Sequence, residues 1–121
     1  VFRLVTQGFT VCTNSSCSAE PPIRGTVPVL YPHNLSVPFL EAAGYIVGLR
    51  SGFLDIIESA RCKKVALYPC DFEERGIANG SAIGSFSLNA MFNRDDFLEL
   101  ETTPENLDEI VESILNYFVS E

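Results

Sequence analysis

The chain has no run of about 18 consecutive apolar residues, which is the length that a membrane-spanning helix requires. Its first residues, VFRLVTQGF, also lack the longer apolar segment and the small-residue cleavage site of a signal peptide. They are typical of the last turns of a helix that ends at Gly8, so we expect an excised part of a larger protein. We expect that protein to be cytoplasmic, either free or peripheral to the inner face of the membrane.

Histidine is limited to His33, and the cysteine spacings match no common zinc-binding pattern. We therefore predict no bound metal and no cofactor. The simplest interpretation of the cysteines is reduced thiols in the core or in loops, and a disulfide pair of a secreted protein is the alternative. These cysteines are Cys12, Cys17, Cys62 and Cys70.

Basic side chains are scarce in the second half of the chain. Residues 71–121 hold twelve acidic side chains and two basic ones, whereas residues 1–70 hold four acidic side chains and six basic ones. A strongly acidic segment argues against nucleic acid as a partner. The mildly basic first part is the better place for an anionic ligand.

Apolar runs of strand length alternate with helical patterns along the chain. YIVGL (45–49) and KKVALYP (63–69) are typical of parallel strands that are buried on both faces, and residues 53–62 have a helical spacing between them. DFLELE (96–101) predicts a further strand, and Thr103-Pro104-Glu105 predicts the start of a final helix.

The remaining segments complete an α/β pattern. We expect a strand over 9–14, a short extended segment over 26–31, a helix capped by Ser36 and ended by Gly44, and a long polar loop over 70–95. This order predicts a single Rossmann-like domain over residues 1–121. It would be a three-layer half-domain with a mostly parallel sheet, lacking its first strand and most of its first helix.

One turn in this pattern carries groups that suit an anion. Arg50, Ser51 and Gly52 follow the strand 45–49 at its carboxyl end, where ligands bind in parallel α/β sheets. A guanidinium, a hydroxyl and the first amides of a helix can together hold a diphosphate. Asp55 would repel a phosphate, so we expect it to have a structural or hydroxyl-binding role. The alternative is an ordinary turn in which Arg50 pairs with an acid such as Asp71.

Residues 45–69 resemble the C-terminal nucleotide-binding half of glycosyltransferases with the two-Rossmann B-type architecture, especially bacterial enzymes of surface polysaccharide synthesis. The strand, Ser-Gly turn, helix and short strand are similar to the heptosyltransferase pattern. Gly25-Thr26 stands where that group often has a loop near the donor phosphates. The heptosyltransferase turn has an acid where this chain has Arg50, and an arginine there resembles the polysaccharide pyruvyl transferases.

The resemblance implies a half-domain that binds a nucleotide-sugar donor, with a glycan acceptor and a missing N-terminal domain of the same chain as its other partners. Arg50 would be the catalytic electrostatic stabiliser, and Ser51, Gly52, Gly25 and Thr26 would line the donor site. Tyr68 or Phe72 would stack on the base. A non-catalytic Rossmann-like interaction module and a pyruvyl transferase-like enzyme are the alternatives.

Overall fold

The computed structural model describes residues 1–15, 21–69, 83 and 86–120. These residues form two compact units, Val1–Leu35 and the residues from Ser36 onward, and each unit is described by itself. Cys17, Cys70 and most of the predicted loop over 70–95, with Asp71 and Phe72, lie outside the described residues.

The first unit has a short helix and a two-stranded parallel sheet. Its elements are α1 (Phe2–Thr6), β1 (Cys12–Asn14), β2 (Val27–Val29) and a 3-10 helix (His33–Leu35). Gly8 follows α1 with a φ of 97°, the left-handed conformation that glycine adopts without steric cost, so the predicted helix end is confirmed. Strands β1 and β2 pair in parallel, with Thr13 opposite Pro28.

The second unit contains a three-stranded sheet and its helices. All three strands run parallel in the order β3-β4-β5, so β4 is central. An α/β fold with parallel strands is confirmed and is consistent with a Rossmann-like half-domain. The elements are α2 (Ser36–Ala43), β3 (Tyr45–Leu49), α3 (Gly52–Ile56), β4 (Lys63–Pro69), α4 (Leu88–Phe92), β5 (Phe97–Thr102) and α5 (Leu107–Val119).

The helices of this unit cover both faces of its sheet, which makes three layers. On one face, side chains of α2, α3 and α4 pack with the sheet in one buried cluster that contains Leu40, Leu54, Leu88, Ala66 and Phe97. On the other face, the ring of Phe118 in α5 lies 4.8 Å from that of Tyr45. Since side chains alternate along a strand, Tyr45 and its register partner Lys63 belong to the face opposite Ala66.

Strand β3 differs from the prediction in its burial. Tyr45, Val47 and Leu49 are exposed and alternate with less exposed residues, so β3 is not buried on both faces as its apolar run predicted. The reason is its position, because β3 lies at one edge of the described sheet. The central strand β4 has the predicted burial, with Val65 and Ala66 fully enclosed.

Two helix boundaries differ from the prediction, and one helix was not predicted. Helix α3 ends at Ile56 and not at residue 62, and α4 lies within the segment that was predicted as loop. Helix α5 begins at Leu107 because the side chain of Asn106 accepts from the amide of Thr103 and holds a turn before it. No described helix is both long and apolar enough to cross a membrane.

Ser36 does not act as the predicted helix cap. It is the first residue of α2 and is fully buried, and its hydroxyl has no hydrogen-bond partner among the described residues. The preceding 3-10 helix leads directly into α2 at this point. Gly44 ends α2 as predicted, with a φ of 87° and its amide donating to the carbonyl of Leu40. Cys12 and Cys62 are free thiols.

Candidate functional site

The turn Arg50-Ser51-Gly52 lies at the carboxyl end of β3, as its sequence predicted. The amide of Arg50 donates to the carbonyl of Leu67 over 2.9 Å, which extends the pairing of β3 with β4 by one residue. Ser51 is extended, and α3 begins at Gly52. The turn therefore stands at the edge of a parallel sheet where ligands are usually bound.

The guanidinium of Arg50 is held by contacts within the protein. Its Nε donates to the carbonyl of Phe86 over 3.0 Å, and its Nη1 donates to the carbonyl of Ser51 over 3.0 Å. Its Nη2 lies 3.5 Å from the sulfur of Met91 in α4. Because the side chain is only 9% exposed, its position is well defined and it shows little surface to solvent.

Asp55 forms an ion pair with Arg50. Its Oδ1 lies 3.1 Å from Nη2 of Arg50, although this oxygen accepts no well-directed hydrogen bond from the described residues. Asp55 is in the first turn of α3, where a carboxylate is favoured by the unpaired amides of the helix. The structural role expected for Asp55 is therefore an ion pair that offsets the charge of Arg50.

Ser51 and Gly52 are both exposed. The hydroxyl of Ser51 makes no capping hydrogen bond to α3, although Ser51 occupies the N-cap position. A Cβ added to Gly52 would meet no atom of the described residues within 4 Å, so these residues leave open space beside the backbone here. Helix α3 has only five residues, so its dipole adds little to the attraction for an anion.

Gly25 and Thr26 belong to the first unit, where they close the turn that leads into β2. Gly25 has a φ of 88°, a conformation that suits glycine. The hydroxyl of Thr26 lies 2.5 Å from the carbonyl of Ile23 and 2.5 Å from the hydroxyl of Thr13. Gly25 therefore allows the turn, and the hydroxyl of Thr26 helps to hold it. That hydroxyl, which was expected to reach a phosphate, is already hydrogen-bonded within the turn.

A half-buried carboxylate, Glu99, forms a hydrogen-bonded cluster near this turn that was not foreseen from the sequence. Glu99 in β5 accepts from the hydroxyl of Tyr68 and, over 2.7 Å, from the hydroxyl of Ser87. It also accepts from the amides of Leu88 and Asn89 over 3.1 and 3.3 Å. Glu99 therefore fastens the start of α4 to the sheet. One feature of the sequence could have revealed this cluster. Glu99 stands between two leucines, and the alternation of side chains along β5 places it on a face of the sheet that helices cover.

Tyr68 joins this cluster to Arg50. Its hydroxyl lies 3.3 Å from the carbonyl of Phe86, which also accepts from Arg50. Burial raises the pKa of Tyr68, and the hydrogen bond to Glu99 raises it further, so the phenol stays protonated at neutral pH. Because its side chain is fully buried, Tyr68 is not available to stack on a base, and the other candidate for that role, Phe72, lies outside the described residues.

The described residues contain no group of three or more histidine, cysteine, aspartate or glutamate side chains placed to hold a metal ion. A scan against models of protein families found no match. Searches of curated proteins and of solved structures likewise returned no significant match.

Proposed function

We propose that the turn Arg50-Ser51-Gly52 binds the diphosphate of a nucleotide-sugar and that the chain is the donor-binding half of a glycosyltransferase of surface polysaccharide synthesis. The observation that carries the proposal is the exposed Ser51-Gly52 turn at the carboxyl end of a parallel strand, where the described residues leave open space beside Gly52. A phosphate can approach a glycine backbone more closely than that of any other residue.

Each residue of the turn has a distinct role in this proposal. The hydroxyl of Ser51 and the exposed backbone at Gly52 contact the phosphate oxygens. Arg50 stabilises the charge that develops on the leaving diphosphate, which a glycosyltransferase without a metal must do with protein groups. The glycan acceptor and the general base belong to a further domain, and the reaction takes place in the cytoplasm, free or at the inner face of the membrane.

A second candidate function is a non-catalytic α/β interaction module. The ion pair between Arg50 and Asp55 favours it, because a guanidinium whose charge is already offset has less attraction for a phosphate. In that case the turn would be purely structural. The two candidates differ in whether the chain binds a nucleoside diphosphate at all.

Substitution of Gly52 by alanine separates binding from folding. The new methyl group has space in the protein, and alanine is a better helix former than glycine, so we expect the melting temperature to be unchanged or higher. The same methyl group would stand where a phosphate approaches. Since a hydrogen bond to a charged group contributes about 1.5–3 kcal/mol, we expect Gly52→Ala to weaken binding about tenfold or more.

The measurement is isothermal titration of the chain and of Gly52→Ala with uridine, guanosine and adenosine diphosphates. Ser51→Ala provides a second variant at the same turn. The proposal is supported if one nucleotide binds the wild-type chain and binds both variants more weakly. It is contradicted if no nucleotide binds, or if Gly52→Ala and the wild type bind with equal affinity.

A further inference from the structure

We propose that Asp55 is an internal competitor for the guanidinium of Arg50 and so sets the affinity of the turn for phosphate-bearing ligands. The inference rests on the proposed diphosphate site. It assigns a specific role to the one acidic side chain that contacts the arginine of that site among the described residues.

The two partners of the ion pair are held to different degrees. Arg50 is 9% exposed and donates to two backbone carbonyls, of Phe86 and Ser51. Asp55 is 37% exposed as a side chain, and its Oδ1, which is itself buried against Arg50, accepts no well-directed hydrogen bond from the described residues. The carboxylate is therefore the partner that can move away, whereas the guanidinium stays in place.

A carboxylate and a phosphate use the same kind of contact with a guanidinium. Both present oxygen pairs that accept from its parallel N–H groups. Asp55 lies 3.1 Å from Arg50 and therefore occupies one direction from which a phosphate could approach. An entering diphosphate must displace this carboxylate and overcome its negative charge, and both requirements lower the affinity.

Neutralisation of Asp55 removes both obstacles at little steric cost. Asp55→Asn keeps the size and shape of the side chain but leaves the charge of Arg50 without its partner. We expect Asp55→Asn to bind inorganic pyrophosphate and uridine diphosphate about tenfold more tightly than the wild type, which corresponds to about 1.4 kcal/mol. If Asp55 instead bound a ribose hydroxyl, the same change would weaken uridine diphosphate and leave pyrophosphate unaffected.

The experiment is titration of the wild type, Asp55→Asn and Asp108→Asn with these two ligands at one fixed salt concentration. Asp108 is an exposed acid in the first turn of α5, so its substitution makes the same change in net charge, also in the first turn of a helix. Thermal melting of each variant verifies that it is folded. Tighter binding of both ligands by Asp55→Asn alone supports the inference.

The other outcomes overturn it in distinguishable ways. If the wild type binds uridine diphosphate but Asp55→Asn binds it equally or more weakly, the competitor role fails and the proposed function stands. If Asp108→Asn gains as much affinity as Asp55→Asn, the effect is one of overall charge and the inference fails. If neither the wild type nor Asp55→Asn binds either ligand, the inference and the proposed function fail together.

Discussion

Lys64 is the residue whose environment departs most from what its chemistry suggests. The side chain is fully buried in the central strand, and its ammonium lies 2.8 Å from Asp96. It also donates to the carbonyls of Glu58 and Ala60, over 2.9 and 2.5 Å, in the turn that follows α3. All of its donors thus have partners, which is what allows a charged group to be buried at all.

Loss of the Lys64 ammonium should destabilise the second unit. Lys64→Met keeps much of the side-chain volume but leaves two backbone carbonyls without their donor, and an unsatisfied buried group costs about 1–3 kcal/mol. We expect a loss in that range in chemical denaturation. The control is Arg61→Met, because Arg61 pairs with Glu41 in a contact where the arginine is 89% exposed. A comparable loss in both variants would show that the burial of Lys64 has no special importance.

In the second unit, β3 and β4 could be predicted from the sequence better than α3 and α4. The bounds of β3 and β4 agree with the predicted 45–49 and 63–69, because apolar runs flanked by glycine and proline are a local signal. Helix α3 is shorter than its spacing predicted, and the carbonyls of Glu58 and Ala60 in the turn after it accept from Lys64 of another element, a contact that a local pattern does not contain. Helix α4 was missed because the carboxylate that binds its first amides, Glu99, is ten or more residues away.

The position of the candidate site was predictable in the same way, but its electrostatics were not. The placement of Arg50 at the end of β3 follows from the strand pattern. Its pairing with Asp55 depends on the direction of the first turn of α3. A local sequence pattern does not contain that direction, since it arises from the packing of α3 on the sheet.

That packing depends on a glycine in the neighbouring strand. A Cβ at Gly48 of β3 would lie 3.0 Å from Cδ2 of Leu54, a core side chain of α3 that is 1% exposed. Gly48→Ala should therefore push α3 outward and destabilise the unit by about 1–3 kcal/mol, as overpacked cores do. Gly52→Ala, four residues away with open space around it, should cost nothing.

A double-mutant cycle in denaturant tests this interpretation. Leu54→Val shortens the side chain that the new methyl group meets, so the two substitutions together should cost less than the sum of their separate effects. Strict additivity would mean that Gly48 and Leu54 do not oppose each other. Equal destabilisation by Gly48→Ala and Gly52→Ala would point to a general effect of losing glycine.

In the second unit, two sets of ion pairs lie at opposite edges of the sheet. Arg50 and Asp55 lie at the carboxyl edge, where the proposed ligand binds. At the amino edge, Asp96 pairs with Lys64, over 2.8 Å, and with Arg94, over 3.0 Å. Arg94 also pairs with Glu58 over 3.0 Å, so this network joins the starts of β4 and β5 to the turn after α3. The amino edge is therefore the place where pH should act on stability.

The direction of that pH dependence follows from Asp96. Its burial opposes ionisation, but hydrogen bonds from Arg94 and Lys64 outweigh burial and hold the pKa of Asp96 below its ordinary value of 3.8. As pH falls through this value, the unfolded chain takes up the proton first, so the stability that Asp96 contributes at neutral pH is progressively lost. We expect the free energy of unfolding to decrease between about pH 5 and pH 3, and to decrease less in Asp96→Asn, which has already lost this contribution.

Urea denaturation across that range measures the difference, with Asp108→Asn as the matched change in charge. Parallel pH profiles for the wild type and Asp96→Asn would show that the acid sensitivity has another source, whereas a flatter profile in Asp96→Asn alone would place it at the amino edge of the sheet.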